Sequence, residues 1–407
     1  MESMLGSYSR PASHAGSWYT DDPDELRESF RSWITEAGRT MCGGADGSSM
    51  RSFSAGSLSS RARAVIAPHA GYSYSGPTAA YAYFQLLEAL RDRNGCKIRR
   101  VVVLHPSHHV YLNTIALTGA HELNTVLGPL PVDVPWLRSL LSLQEETASS
   151  SSTGAFPCGI QVMNAKVDTD EHSGEMHYPY IRYCLEEAGQ AANVKVAALM
   201  VGSMDATREA AFGKALRKMM IDDPSNFFVL SSDFCHWGRR FDFCPCPAAG
   251  QQPISSYIEE LDREGMDLMC TQDPWAFDGY LRRTQNTICG RHPISLFLFM
   301  LSSATTRHKN NLQLNNTRGE EGSLRNAEED EFSIERRAGS KRSKSNTGGA
   351  RYENFLREPP CPSRIDEKHP IFTIEHLRYA QSGEVFDARR DSSVSYVSMV
   401  IKEATAS

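Results

Sequence analysis

The sequence predicts an α/β fold, a single domain whose mostly parallel central sheet is flanked by helices and interrupted by disordered insertions. Three observations carry this. Short runs of β-branched and aliphatic residues recur at 64–67, 101–104, 194–201 and 226–232, each suited to a strand buried on both faces. Helix-patterned segments follow several of them, which is the alternation of a parallel sheet. Three of the runs also end alike, with polarity flipping at once into a loop of reactive side chains. His69 follows the first, His105, His108 and His109 the second, and Asp233, Cys235 and His236 the last. Open α/β sheets place their sites at such carboxyl ends.

Composition narrows the class. The 407 residues, 40% of them hydrophobic, suffice for one large domain with insertions or for two domains. A net charge of −6 supplies no basic field for nucleic acid. The ten cysteines include no CxxC pair; Cys244 and Cys246 form only a CxC. The N-terminus lacks the basic start and apolar centre of a targeting segment, so free thiols in a reducing compartment are expected. The run 296–301 is far too short to span a bilayer. The expectation is a soluble cytoplasmic protein with no membrane span; the basic cluster at Lys341 reads as solvated linker before nuclear address.

In order along the chain, Trp18 and Tyr19 plug the core or line a pocket. Leu26, Phe30, Trp33 and Ile34 share a helix face after an acidic first turn. The Gly/Ser-rich run 42–60 is an insert. The strand at 64–67 leads through Pro68, His69 and a Gly-containing turn to a helix over 78–90, and the next unit is the strand that ends in the histidine loop. A strand at 114–118, an edge ribbon at 125–132 and a helix at 133–143 follow, then a flexible serine tip at 149–153. His172, Glu175 and His177 cluster near a helix start; that helix runs to about Ala188. Capping and dipole effects alone favour Glu there, but two imidazoles so close favour a functional loop. The strand at 194–201, a helix at 205–220 and the strand at 226–232 precede the Asp233–His236 loop. An amphipathic helix covers 254–269, and Gly290-Arg-His-Pro opens the apolar helix 294–301. Cys289 just before it would have a depressed pKa if the helix dipole and Arg291 reach it; a buried inert thiol is the alternative. Residues 305–369 read as a disordered insert, and 391–400 as a strand at the sheet's edge or end.

If the strands are parallel neighbours, the loops bearing His69, His108, Asp233 with His236, and Cys289 meet along one edge. Two imidazoles with a thiolate or a carboxylate leave coordination positions open, the profile of a reactive metal site. A thiolate third ligand points to Cu(I) or zinc, a carboxylate to non-haem Fe(II). His172, His177 and His236 are then candidates to move protons or to fix ligand tautomers.

Seven blocks, in order, resemble the Memo family (mediator of ErbB2-driven cell motility). They are His14-Ala-Gly-Ser-Trp18-Tyr, Ile66-Ala-Pro-His69-Ala-Gly-Tyr, Pro106-Ser-His108-His, Asp170-Glu-His-Ser, Ser231-Ser-Asp-Phe-Cys-His-Trp-Gly238, Asn286-Thr-Ile-Cys-Gly-Arg-His-Pro293 and Asp391-Ser-Ser-Val-Ser-Tyr396. The resemblance covers 10–302 and about 371–401. It implies a fold similar to class III, LigB-type extradiol dioxygenases, and puts His69, His108 and Cys289 on metal-ligand positions. Asp233 and His236 fall on the adjoining motif, and Trp18 on a position associated with phosphotyrosine peptides. Copper or iron binding, redox chemistry and cell motility are the implied roles. His105 stands where the family usually has glycine, and Cys289 replaces the dioxygenases' carboxylate, which counts against ring cleavage. Two readings follow: a metal-binding redox protein, or an adaptor whose cleft takes an anionic phosphopeptide, with Arg291 as the anion contact.

Overall fold

The computed structural model describes residues 4–42, 60–92, 96–149, 159–247, 252–302 and 372–404. The expected inserts at 42–60 and 305–369 and the serine tip at 149–153 lie, but for flanking residues, outside the described residues.

Strand β1 (Tyr8–Arg10) leads to helix α1 (Pro23–Met41). Asp22 caps α1, its carboxylate accepting from the Asp24 and Glu25 N–H groups, and Pro23 occupies the first turn, where no N–H is needed. Leu26, Phe30, Ile34 and Ala37 form its buried face. Strand β2 (Ser60–Ala67) is followed by helix α2 (Tyr72–Leu90), which starts six residues before the expected Thr78. The Gly-containing turn is itself helical: Gly76 lies against the Trp33 ring, where a Cβ would meet carbon at 2.5 Å. Strands β3 (Arg100–His105), β4 (Ile115–Leu117), β5 (Ala120–Leu123) and β6 (Leu130–Pro131) follow, then helix α3 (Val134–Ser149) and strand β7 (Gln161–Val162). Of the expected ribbon at 125–132, only Leu130–Pro131 is strand; with β1 and β5 it makes a small separate sheet. Short helices α4 (Ala165–Asp170) and α5 (His172–Glu175) precede α6 (Tyr178–Glu187), β8 (Lys195–Val201), α7 (Ala206–Met220) and β9 (Asn226–Ser231).

Among the described residues the main sheet has nine strands. Its centre, β2–β9–β3–β8, is parallel as expected. Outside it the expectation of a mostly parallel sheet is corrected: β7 pairs with β4 in parallel, but β4 joins β8 antiparallel, and β2 is flanked antiparallel by the C-terminal strand β12 (Ser393–Ala404). Strand β11 (Phe372–Gln381) forms a hairpin with β12, so no helical crossover forces a parallel return. The sheet is mixed, with helices packed on it and no barrel closure.

Strand β12 also corrects the expected edge position. It pairs with β11 on one side and with β2 on the other, and its alternating serines are buried. The Ser398 hydroxyl donates to the Thr78 carbonyl at 2.6 Å, so a polar position here marks a satisfied hydrogen bond and not a solvated face.

A third correction concerns 233–237, expected as a loop. The chain leaves β9 at Ser231, the Ser232 N–H donates to the Ala67 carbonyl, and the backbone then crosses the end of β2. Beyond it, β10 (Asp233–Trp237) pairs antiparallel with the start of β12, and Trp237 is fully buried. That crossing sets Asp233 directly beyond β2, beside His69. Helices α8 (Ile254–Cys270), α9 (Pro274–Thr284) and α10 (Arg291–Leu301) complete the chain order before β11.

Asp262 of α8 ties these late elements together. Buried completely, it accepts from the Cys235 N–H at 3.2 Å, the Asn286 amide at 2.9 Å and the Tyr379 hydroxyl at 3.1 Å. Burial pushes its carboxyl up to about 6 against those bonds. Asp262→Ala strands three donors and is expected to cost roughly 2–4 kcal/mol in urea unfolding; a loss below about 0.5 kcal/mol would contradict this role.

Candidate metal centre

His69 leaves the carboxyl end of β2, and its ring is almost fully buried, 2% exposed. Its Nδ1 lies 2.6 Å from Ser231 Oγ, and that hydroxyl donates its one proton to the Ser173 carbonyl at 2.8 Å. Ser231 must therefore accept, so His69 carries its proton on Nδ1 and keeps Nε2 bare. Burial and the surrounding imidazoles, His108 first, hold His69 well below the usual histidine range, so the ring stays neutral. The bare Nε2 faces Cys289 Sγ at 3.1 Å.

His108 follows β3, with its side chain 27% exposed. Glu171, the N-cap of α5, holds it twice: Oε2 accepts the His108 backbone N–H at 2.7 Å and Oε1 accepts Nδ1–H at 2.8 Å. Burial works against the Glu171 carboxylate, but the His108 hydrogen bond and nearby imidazoles hold it well below its ordinary range. With Nδ1 committed to a carboxylate, Nε2 is the nitrogen His108 offers as a ligand.

Cys289 arrives on the turn before α10. Gly290 permits the approach, since a Cβ there would meet the Ser231 carbonyl oxygen at 2.3 Å and Ser232 Cβ at 2.4 Å. The Gly290 N–H donates to Ser232 Oγ, and the Asp233 N–H donates to the Cys289 sulfur at 3.2 Å. His236 secures the same turn: its N–H donates to Thr287 Oγ1 at 2.8 Å, and its Nδ1–H donates to the Phe234 and Thr287 carbonyls. The expectation of a depressed thiol pKa does not hold. Desolvation, with the Asp233 carboxylate beside it, pushes the Cys289 thiol well above its usual value. Arg291 does not offset this, because it lines a separate cavity of about 300 Å³ with Glu209, Asp278 and His292.

The ligand atoms of His69, His108 and Cys289 lie within 4.8 Å of one another. Asp233 stands next to them, its Oδ1 accepting the His69 N–H at 2.8 Å and the Ala70 N–H at 3.3 Å; burial raises its carboxyl. His172 joins the cluster from α5, 4.5 Å from the His108 ring, and burial together with His108 lowers it to about 3. Trp18, partly buried, packs on the other face of His172 at 4.3 Å. His177 stays outside the cluster: it is buried, with Nδ1 2.6 Å from the Tyr83 hydroxyl, and held at about 3 by burial. His105 also turns away, its Nδ1 near the Pro106 carbonyl and Ser173 Oγ.

Sequence reasoning missed Glu171 and Ser231, the residues that select the two tautomers, and also His14. Glu171 is adjacent to His172 in the chain, and a carboxylate next to a histidine loop was the available signal. Ser231 ends a strand and gives no signal of its own. His14 donates from Nδ1 to Glu175, and Glu175 also accepts from Arg10, Ser13 and Tyr19, holding the Trp18 loop against α5.

The donor set fits a metal ion. Two neutral imidazoles each have one nitrogen fixed by a hydrogen bond, which orients the other. One sulfur, steadied by a backbone N–H, completes three ligands and leaves further coordination positions open. Metal binding would expel the thiol proton, as it must for any cysteine ligand.

A family model described as Memo-like protein matches residues 10–323. Protein MEMO1 of Danio rerio is 37% identical over 306 residues, covering 75% of this chain and 88% of the relative. Protein MEMO1 of Homo sapiens is 36% identical over 305 residues, covering 75% and 87%. Protein memo-1 homolog of Caenorhabditis elegans is 36% identical over 294 residues, covering 72% and 71%.

The cavity of Arg291 yields a pH test. Glu209, 4% exposed, bonds to His292 Nδ1 at 2.8 Å; burial and Asp278 push its carboxyl up to about 9, against Arg291. A folded-state pKa raised above the unfolded value means stability present below about pH 4.5 and lost as pH climbs toward 9. Glu209→Gln should therefore flatten the fall of melting temperature between pH 5 and pH 9 relative to wild type. Parallel curves for the two proteins would show that Glu209 titrates normally.

Proposed function

The chain belongs to the Memo family, and on that premise we propose that it holds a redox-active ion, copper or iron, on His69, His108 and Cys289. Zinc is the redox-silent alternative for the same donors. One observation carries the proposal: ligand atoms from three separate loops lie within 4.8 Å of one another, with both imidazole tautomers set by hydrogen bonds. A bound copper or iron ion supplies one-electron chemistry. The protein's part is to orient His108 through Glu171, to keep His69 neutral through Ser231, and to present the Cys289 sulfur beside them. His172 and His236 flank this set, while Asp233 spends Oδ1 on backbone N–H groups of the His69 loop.

The proposal includes a fold of the class III extradiol dioxygenase type, with Cys289 standing where those enzymes use a carboxylate, so ring cleavage ranks third among the readings. It extends to a cytoplasmic redox role in cell motility, as the family resemblance implies. Protein purified without oxygen or chelator is expected to carry close to one copper or iron per chain by elemental mass spectrometry. His69→Ala and Cys289→Ala are each expected to lower that content about tenfold or more. Equal metal content in both variants and wild type would overturn the assignment.

A second reading, an adaptor cleft for phosphotyrosine peptides, is favoured by one observation: the Trp18 ring, partly buried, packs 4.3 Å from His172 at the cluster. Because Arg291 lines the other cavity, Trp18→Ala should weaken peptide binding to the metal-free protein severalfold while Arg291→Ala leaves it unchanged. Fluorescence anisotropy with a phosphotyrosine peptide measures this. No binding by wild type, or binding indifferent to Trp18→Ala, removes the reading.

A further inference from the structure

We propose that His108, Glu171 and His172 form a second cation position, beside the His69–His108–Cys289 set and sharing only His108 with it. Their ligand atoms also lie within 4.8 Å of one another. The His172 Nδ1 atom is buried without a hydrogen-bond partner among the described residues, 3.6 Å from Glu171 Oε1. A buried ring nitrogen next to a carboxylate, with no donor or acceptor among the described residues satisfying it, is suited to ligate a cation. Glu171 retains capacity for one: Oε1 accepts from His108 Nδ1, Ser173 N and Ser173 Oγ, whereas Oε2 accepts a single N–H, that of His108. His108 can serve both positions because its two nitrogens leave the ring on different sides, Nδ1 toward Glu171 and Nε2 away from it.

The donors are two imidazole nitrogens and one carboxylate oxygen. That set suits a borderline divalent ion such as Zn(II) or Co(II), and it lacks the sulfur that Cu(I) prefers. No oxidation is involved. The ion–Nδ1 bond replaces the Nδ1–H bond of His108, and the proton moves to Nε2 when the first set is empty or to water when it is filled.

The test uses the full chain and Co(II), whose absorption distinguishes sulfur from nitrogen and oxygen ligands. In the double variant His69→Ala/Cys289→Ala, which removes two of the three ligands of the first set, one Co(II) per chain should still bind, without a sulfur charge-transfer band. Adding His172→Ala or Glu171→Gln should then weaken that binding about tenfold or more. The proposal is overturned if the double variant binds no Co(II), or if its affinity ignores both added substitutions. Circular dichroism melts establish that the variants fold; should the double variant not fold, Cys289→Ala alone carries the same comparison. A sulfur charge-transfer band in wild type reports the first set separately. Its absence, together with Co(II) bound by the double variant, would remove the function proposed above and leave this second position standing.

Discussion

The hydrogen bonds running from His69 Nδ1 to Ser231 Oγ and on to the Ser173 carbonyl decide what the cluster can be. Ser231 has one proton to give and gives it to Ser173, so the imidazole must donate, and its other nitrogen is left as a lone pair aimed at sulfur. With the opposite tautomer the lone pair would sit on Nδ1, facing Ser231, and Nε2 would offer a metal beside Cys289 nothing. Two elements far apart in the chain supply the relay, the end of β9 and the short helix α5. They meet because β9 lies between β2 and β3 in the parallel centre of the sheet. The three adjacent carboxyl ends therefore present His69, Ser231 and His108 side by side.

The surrounding polar groups make that placement rigid. Glu175 is fully buried yet accepts from Arg10, Ser13, His14 and Tyr19, which fastens the N-terminal loop to the segment holding His172. Asp168 balances Arg10 from the other side, with Tyr8 and Thr118 donating to it as well. Removing one member of such a buried network strands charged partners, which is costlier than losing a surface ion pair. On the opposite flank, Asp262 and the His236–Thr287 bonds secure β10 and the turn that delivers Cys289. Ligand geometry is thus determined by strands and buried polar networks, which position side chains more closely than free loops do.

The sequence makes the parallel centre legible because strands buried on both faces need continuous apolar runs, and 101–104 and 227–230 are such runs. The histidines are legible for the complementary reason: imidazoles immediately after such a run stand at the sheet's edge. Strand β10 is not legible, since Asp233, Cys235 and His236 break the apolar pattern; only pairing with β12 beyond the end of β2 makes them extended. The interior place of β12 is hidden by its serines, where a solvated face would be the usual inference; they are buried and hydrogen-bonded, Ser398 to the Thr78 carbonyl and Ser395 to the Tyr379 hydroxyl. Arg291 is misleading in the same way, because proximity in sequence to Cys289 says nothing about which side of the turn a long side chain takes. His177 shares a short motif with His172, yet it lies past the end of α5, immediately before α6, and points toward Tyr83 and away from the ligands.

The central claim is that one sulfur and two imidazole nitrogens from three distant loops bind a single ion. X-ray absorption at the metal edge of anaerobically loaded protein tests it most directly. One sulfur scatterer together with at least two imidazole nitrogens in the first coordination shell is the predicted result, with the sulfur contribution gone in Cys289→Ala. A shell of nitrogen and oxygen alone, unaltered by that substitution, would contradict it.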